Sequence, residues 1–351
     1  MSPVAVQQVI ATAAPHDAVT GQALVLDDLL REWGRPGEVY AENVHPDLAG
    51  RVRPLARRPA DAAAVILRYS IWSRAVEDVL GRPPRRLGVV YHNVTPPEML
   101  ERVNPQVAQL CRRARGGLAG LAPRADVAIA DSEFNAADMR AAGFGEVVVV
   151  PLVLRLPAPA GAGAGGREPL VVTVGRVVPN KRLELVVRAF ALMRATGAPG
   201  AELAVVGSWD GFEPYRDALG RFVARLGVGG VRFLGRIGDA ARDDLLARAG
   251  LYVCASAHEG FCAPLVEAMA RGLPVVAVRG SAVTETVGDG GLLLPAPDPA
   301  ELAEAMRRVL DDPGAAAGLA VRARARAGAF APAGVAARLR EALGPLLGAP
   351  A

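Results

Sequence analysis

The sequence is poor in residues that mark several protein classes. Lysine occurs once among 40 basic residues, and the three cysteines have neither zinc-site nor disulfide-framework spacing. Aromatic residues make up only 5% of the chain and are not interleaved with a basic cluster, so we expect no nucleic-acid partner. No apolar run approaches the roughly 20 residues of a membrane span. Together these absences predict a soluble or peripheral protein of a reducing compartment.

Several motifs are also absent from the sequence. Residues 1–17 lack the basic segment and apolar core of a signal peptide, so we expect a cytoplasmic location. No G-x-G-x-x-G follows the first predicted strand, which disfavours a Rossmann dehydrogenase. No Asp-x-Asp pair is present, so we expect no metal and no cofactor.

Arginines are frequent and raise a question about membranes. Clustered arginines can bind anionic lipid or an acidic acceptor, although they more often form a solvated surface. Both interpretations stay open, and the first would place the protein at the inner face of the membrane. The arginines concerned are Arg51, Arg53, Arg57, Arg58, Arg112, Arg113 and Arg115.

Short apolar runs alternate with amphipathic stretches along the whole chain. Such Val/Ile/Leu-rich runs between helices are typical of parallel strands covered on both faces. The fold class is therefore α/β, with two Rossmann-like, doubly wound parallel sheets. Strands are predicted at 4–10, 64–70, 86–93, 125–132, 146–151, 169–175, 201–207, 231–235, 251–256 and 273–278.

A Pro/Gly/Ala segment divides the chain, because such a composition cannot form a core. We predict an amino-terminal domain at 1–156, a linker at 157–168 and a second domain at 169–331. Residues 332–351 are predicted to form a helix that packs back on the first domain. Each domain is long enough to bury its own core.

Polar residues follow the predicted strands of the second domain, where open parallel sheets bind ligands. Arg176 and Lys181 follow one strand and Gly207 follows the next. The single lysine indicates a site that needs a compact ammonium group. The alternative is chance at an exposed helix start.

Two glutamates follow the strand at 251–256. Glu259 lies in a glycine-containing loop, and Glu267 lies in a helix that Pro264 can begin and Gly272 can end. A helix N-terminus supplies N–H donors for phosphate or sugar oxygens, and a carboxylate accepts hydrogen bonds from a diol. With Arg176 and Lys181 as cations, the residues suit a nucleoside diphosphate sugar.

These segments resemble a known family. GRVVPNKRLELVVRAF, VRFLGRIGD and SAHEGFCAPLVEAMARGLPVVAV with ETVGDGGLLL resemble the carboxyl-terminal domain of the family-4 retaining glycosyltransferases, over about residues 169–310. The resemblance implies the GT-B fold, in which two Rossmann-like domains face a cleft. YHNVTPPE and ADSEFNAADM resemble the family less closely.

The resemblance also implies roles for individual residues. Arg176 and Lys181 would bind the diphosphate and promote its departure, and Glu267 would bind the ribose. Glu259 would hold the transferred sugar, and His92 would face that sugar across the cleft. The amides of Gly260, Phe261 and Cys262 would also hold the sugar, with Gly207 and Gly21 completing the donor site.

Two departures from the family pattern are visible. Cys262 stands where glycine is frequent, which predicts a loop less free to adopt positive φ. Only Gly21 replaces the usual glycine pair after the first strand.

The implied activity is transfer of a hexose, with retention and without a metal, from a UDP- or GDP-sugar to a hydroxyl acceptor. The acceptor would be a glycan, a glycolipid or other lipid-linked molecule, or a small-molecule glycoside, as in polysaccharide biosynthesis. A GT-B nucleotide-sugar epimerase and a non-catalytic nucleotide-sugar-binding partner remain as alternatives.

Overall fold

A computed structural model describes residues 4–156 and 167–348. Its described residues form two compact units. The first unit comprises those of Met1–Pro97, Gln106–Leu154 and Pro332–Ala351, and the second comprises those of Glu98–Pro105 and Arg155–Ala331.

Each unit is built on one parallel sheet. The first sheet has seven strands: β1 (Val6–Ala13), β2 (Val39–Val44), β3 (Val52–Pro54), β4 (Ala64–Tyr69), β5 (Arg86–Tyr91), β6 (Val127–Ala130) and β7 (Val148–Val149). The second has six: β8 (Glu168–Val174), β9 (Glu202–Val206), β10 (Val231–Gly235), β11 (Ala249–Cys254), β12 (Val275–Val278) and β13 (Leu292–Leu294). Their spatial orders are β3-β2-β1-β4-β5-β6-β7 and β10-β9-β8-β11-β12-β13. In both sheets the next two strands of the chain lie on one side of the first strand, and the later strands lie on its other side. This change of side is typical of doubly wound folds.

Helices connect the strands and cover both faces of each sheet. In the first unit they are α1 (Ala18–Glu32), α2 (Arg74–Gly81), α3 (Pro105–Gly117) and α4 (Glu133–Ala141). In the second they are α5 (Leu183–Thr196), α6 (Glu213–Leu226), α7 (Asp239–Arg248), α8 (Ala263–Ala270), α9 (Ser281–Val287), α10 (Pro299–Asp311) and α11 (Pro313–Ala327). Two terminal helices, α12 (Pro332–Ala342) and α13 (Gly344–Leu347), follow.

The central strands are buried because helices pack on both of their faces. Every residue of β4, β6, β11 and β12 is buried. The terminal helices contribute to the core of the first unit, where Leu339, Leu343 and Leu346 join the cluster around Ile66. A side chain at Gly88 in β5 would meet Leu346 at 2.6 Å, so this glycine lets α13 lie directly on the sheet.

The sequence predicted ten strands, and all ten are present, β10 with the predicted bounds and the other nine with shifted ends. It missed β2, β3 and β13. β2 and β3 contain charged residues and β13 is only three residues long, so none of them forms an uninterrupted apolar run of ordinary strand length. Most of the predicted linker, 157–166, lies outside the described residues.

Candidate functional site

Two glycines shape the carboxyl end of the second sheet. Gly175 follows β8 with φ of 153°, and Gly207 follows β9 with φ of 143°. A Cβ on Gly207 would lie 2.0 Å from the carbonyl oxygen of Gly175, so no other residue fits there without a backbone shift. Gly207 therefore allows the two strand-end loops to come together, which is how it shapes the predicted donor site.

Lys181 ends a short 3-10 turn, Pro179–Lys181, and its ammonium group pairs with the carboxylate of Glu259. The two side chains are 20% and 11% exposed. Burial opposes the charge on Lys181, but the Glu259 carboxylate, together with the nearby Cys262 and Cys254, outweighs burial and raises the pKa of the lysine above its usual value. Lys181 is therefore held as a cation beside a carboxylate.

The guanidinium of Arg176 lies over the ring of Phe212, 5.2 Å from its centroid. One of its Nη atoms also donates to the carbonyl oxygen of Asp210 over 3.4 Å. These contacts orient the guanidinium from the β9–α6 loop. Arg176 lies on the loop that also holds Lys181, as the sequence predicted.

Several hydrogen bonds hold the loop that contains Glu259. The side-chain amide of Asn180 donates to the carbonyl oxygen of His258 over 3.0 Å, and the backbone amide of Glu259 donates to the hydroxyl of Ser281 over 2.9 Å. The hydroxyl of Thr286 donates to the carbonyl oxygen of Phe261 over 2.6 Å. Helix α9, which contains Ser281 and Thr286, therefore fixes the loop from behind.

Cys262 is the N-cap of α8 and has φ of 71°. The expectation that a cysteine would make positive φ less accessible was therefore wrong for this residue. The left-handed conformation turns the chain from the Gly260–Phe261 loop into α8, and Pro264 occupies the first turn. The first amides of a helix have no partner within it, so this turn can offer N–H donors.

Glu267 lies on α8 and its carboxylate is 3.9 Å from Nε of Arg242. Burial raises the pKa of Glu267 above its usual value, although Arg242 and Arg271 act against this. Arg242 is thus only a distant partner of Glu267. The distance is too long for a good hydrogen bond, so the carboxylate is only loosely held.

One small cavity brings most of these residues together. It is lined by Gly175, Arg176, Lys181, Glu259 and Cys262, with Thr173, Val174, Leu183, Tyr252, Cys254 and Ser256. It lies at the carboxyl ends of β8 and β11, where parallel sheets bind ligands. Of these lining residues, the sequence predicted Arg176, Lys181, Glu259 and Cys262 as donor-binding residues.

His92 belongs to the first unit and follows β5. Its Nδ1 is 2.7 Å from the carboxylate of Asp131, and its Nε2 is 3.0 Å from Nη1 of Arg68. A guanidinium only donates, so Nε2 must accept and the ring proton must lie on Nδ1, where Asp131 accepts it. The ring is 5% exposed.

Arg68 extends this network. Its Nε donates to the side chain of Gln8 over 3.1 Å and its Nη2 donates to the carbonyl oxygen of Gln22 over 3.0 Å. Burial lowers the pKa of Arg68 to about 10, while Asp131 acts in the opposite direction. His92 is thus held by partners on both sides.

Gly21 lies inside α1 rather than in a loop, and a side chain there would meet no atom within 4 Å. Its amide already donates to the carbonyl oxygen of Asp17. Asp17 also caps α1, and its side chain accepts a hydrogen bond from the amide of Thr20. The structure shows no geometric need for glycine at position 21.

The arginines considered for membrane contact are largely paired with acids. Arg58 is buried with Asp78 at 2.5 Å, and Arg51 lies 2.6 Å from Asp28. The remaining pairs among them include Arg53 with Glu38 at 3.3 Å and Arg113 with Glu77 at 2.9 Å. These pairs favour the interpretation as a charged, solvated surface with one buried member.

Sequence reasoning did not identify Asp131, Arg68 or Ser281. Asp131 directly follows β6, so the rule that found His92 at a strand end could have found it. Arg68 is an arginine within an apolar strand, which is costly unless it is hydrogen bonded. Ser281 follows β12 by three residues but had no chemical feature to distinguish it.

The sequence also matches known proteins. Residues 159–327 match the family described as glycosyl transferases group 1. A phosphatidyl-myo-inositol mannosyltransferase of Propionibacterium freudenreichii is 35% identical over 42% of this chain and 37% of its own length. A GDP-mannose-dependent alpha-(1-6)-phosphatidylinositol monomannoside mannosyltransferase of Mycolicibacterium smegmatis is 33% identical over 45% of this chain and 43% of its own length. The matches thus span less than half of either relative.

The fold likewise matches solved structures. Anabaena HepE, in complex with UDP and glucose, superimposes with a TM-score of 0.73 at 21% identity, over 97% of this chain and 99% of its own. The fold is therefore GT-B, with two Rossmann-like domains. Among the helices of the described residues, none combines the length and apolar character that a bilayer span requires.

Proposed function

We propose that this protein, which belongs to the glycosyl transferases group 1 family through residues 159–327, transfers a hexose from a nucleoside diphosphate sugar to a hydroxyl acceptor with retention. The observation that carries the proposal is the cavity at the ends of β8 and β11, which brings Arg176, Lys181 and Glu259 together. Two cations beside a carboxylate suit a diphosphate linked to a sugar.

The leaving diphosphate needs stabilisation as its negative charge increases. Lys181 is held as a cation by Glu259, and Arg176 lies on the same loop. Fixed cations in a site largely shielded from water can supply this stabilisation without a metal ion. The diphosphate would take over Lys181 from Glu259, and the freed carboxylate would then accept hydrogen bonds from the sugar hydroxyls.

Glu267 would accept hydrogen bonds from the ribose hydroxyls. Its nearest cation is 3.9 Å away, so a ribose need not displace a strong ion pair. The amides at the start of α8, near Gly260, Phe261 and Cys262, would donate to oxygens of the donor. The family resemblance supports a mechanism in which the leaving phosphate oxygen accepts the acceptor's proton.

GDP-mannose is the donor we favour, because the name of the Mycolicibacterium relative specifies it. The name of the HepE structure specifies UDP and glucose, so UDP-glucose is the donor to compare. We propose a lipid-linked acceptor because the names of both relatives specify phosphatidylinositol lipids. Peripheral contact with the inner face of the membrane is proposed only because such an acceptor would lie there. The arginines considered for membrane contact do not add support, because most of them are ion-paired.

Donor consumption tests the proposal directly. Purified protein is incubated with GDP-mannose or UDP-glucose, with and without an inositol-containing lipid acceptor, and the released nucleotide is quantified. Acceptor-dependent release of GDP or UDP that survives excess EDTA would support it. Conversion of the donor to an isomer without acceptor would instead identify an epimerase. Binding without turnover would indicate a non-catalytic partner, and loss of activity that Mg²⁺ restores would contradict the metal-free mechanism.

A further inference from the structure

Two of the three cysteines lie together in the second unit. Cys254 is the last residue of β11 and Cys262 caps α8, and Glu259 lies in the loop between them. The two sulfur atoms and a carboxylate oxygen of Glu259 all lie within 4.8 Å of one another. Three possible ligand atoms, from the end of β11, the following loop and the start of α8, therefore lie close together.

The distances suit a metal ion that prefers sulfur. Two thiolates bound to Zn²⁺ at about 2.3 Å in tetrahedral geometry would be roughly 3.8 Å apart. In the structure the three ligand atoms all lie within 4.8 Å of one another, a range that includes this separation. Thiolate ligands select ions such as Zn²⁺ and Cd²⁺ over Mg²⁺, which prefers oxygen.

The charges also balance when a divalent ion is added. Two thiolates and the Glu259 carboxylate would bring three negative charges into a site where both thiols are buried. A divalent ion and the adjacent Lys181 ammonium would neutralise them. Buried charges need this kind of compensation.

The cavity gives an ion access to the site. Cys254 and Cys262 line it together with Arg176 and Lys181, and the Lys181 side chain is 20% exposed. Three protein ligands leave one tetrahedral position for water, as in sites that are not purely structural.

We propose that Cys254, Glu259 and Cys262 form a site for a thiophilic divalent ion, and that its occupancy blocks use of the donor. On binding, each thiol releases one proton to solvent, and each thiolate donates an electron pair to the ion, which loses bound water. The ion engages Glu259 and so removes the carboxylate from Lys181 and from the sugar. The inhibitory part rests on the proposed function, whereas the binding part does not.

The binding test uses the reduced, metal-free full chain titrated with Cd²⁺, followed by the ultraviolet charge-transfer absorption of thiolate–Cd²⁺ bonds. We expect saturation at one equivalent and a loss of affinity of more than about 100-fold in Cys254→Ser and in Cys262→Gly, since even outer partners of a metal site contribute that much. Glycine suits the positive φ at position 262, so this variant should keep the loop conformation. Cys111→Ser, a buried cysteine of the first unit, is the matched control and should bind Cd²⁺ as before.

A second measurement addresses inhibition. For each variant, the rate of donor turnover with micromolar Zn²⁺ is divided by the rate without it. Differences in basal activity between variants then do not affect the comparison. Zn²⁺ should inhibit the unchanged protein and Cys111→Ser, reversibly on adding chelator, but not Cys254→Ser. Unaltered Cd²⁺ absorption in both Cys254→Ser and Cys262→Gly would overturn the site. Specific Cd²⁺ binding in a protein that turns over no donor would leave the site standing and count against the proposed function.

Discussion

Charged side chains stand at the carboxyl ends of both sheets, but their surroundings differ. In the first sheet, His92 lies between Arg68 and Asp131, and its ring is 5% exposed. In the second sheet, Lys181 and Glu259 are paired but line a cavity. The first arrangement holds a side chain in place, and the second leaves groups that a ligand can reach.

The difference separates two uses of buried polarity. In a closed network each polar group is hydrogen bonded to another member, so the network stabilises one conformation. Removing one member leaves its buried neighbours without a partner. A pair beside a cavity can exchange one partner for a charged ligand. We therefore expect substitutions in the first network to lower stability, and substitutions in the second to lower donor binding and turnover.

The largest expected effect on stability is that of Asp131→Ala. It would leave the buried Nδ1–H of His92 without its acceptor and should lower the free energy of unfolding by about 3 kcal/mol. Urea unfolding followed by fluorescence of Trp33 and Trp72, in a Trp209→Phe background, reports on the first unit. Lys181→Ala is the matched comparison and should change this transition little. Equal losses in the two variants would remove the distinction between the two regions.

Lys181→Ala should lower turnover by about 10² to 10³-fold, the usual effect of removing one group that stabilises developing negative charge. Much of this stabilisation is needed only as the diphosphate leaves, so kcat should fall more than the donor KM rises. Steady-state kinetics with the active donor measure both constants. A pure KM effect would show that Lys181 serves binding alone.

Lys181→Arg keeps the charge and changes the shape. The stem of Lys181 packs near Gly175, where even a Cβ would lie only 3.4 Å from Cε of the lysine. A wider guanidinium should fit poorly there, so we expect turnover to remain at least about tenfold reduced. Arg182→Lys, on the same loop, is the control and should retain activity. Full activity of Lys181→Arg would mean that the single lysine is a chance of composition.

A smaller effect concerns Glu267 and pH. Because burial raises its pKa in the folded protein, the ionised form is disfavoured by folding, and Glu267 costs stability at neutral pH. This cost disappears as pH falls through the raised pKa, because the folded protein then binds the proton. Glu267→Gln should therefore raise the melting temperature at pH 7.5 and raise it less near pH 5. A gain that grows on acidification would contradict this sign.

Most of the fold could be predicted from sequence, because long Val/Ile/Leu runs identify buried parallel strands directly. Two of the strands it missed, β2 (Val39–Val44) and β3 (Val52–Pro54), mix apolar and charged residues and are identified by their neighbours in the sheet. The start of helix α1 at Ala18 depends on the cap that Asp17 supplies, which hydrophobic periodicity does not decide.

The candidate site was predicted as a set of residues and not as a set of contacts. The strand-end rule identified Lys181 and Glu259, which are 78 positions apart, but did not predict that they form an ion pair. The same limit hid Asp131 and Arg68, since their importance depends on facing His92. The positive φ of Cys262 was likewise invisible, because the loop before it is held by residues distant in sequence, such as Thr286, which donates a hydrogen bond to the carbonyl oxygen of Phe261.

Calorimetry with GDP and UDP is the sharpest test of whether the donor binds at the carboxyl end of the second sheet. We predict that Glu267→Ala weakens binding of the bare nucleotide by about 1.5 to 3 kcal/mol, through loss of charge-assisted hydrogen bonds to the ribose. Glu259→Ala should not weaken that binding but should lower turnover, because Glu259 is proposed to give up Lys181 to the diphosphate and to hold the sugar. Equal loss of nucleotide affinity in both variants, or no loss in Glu267→Ala, would contradict the assignment.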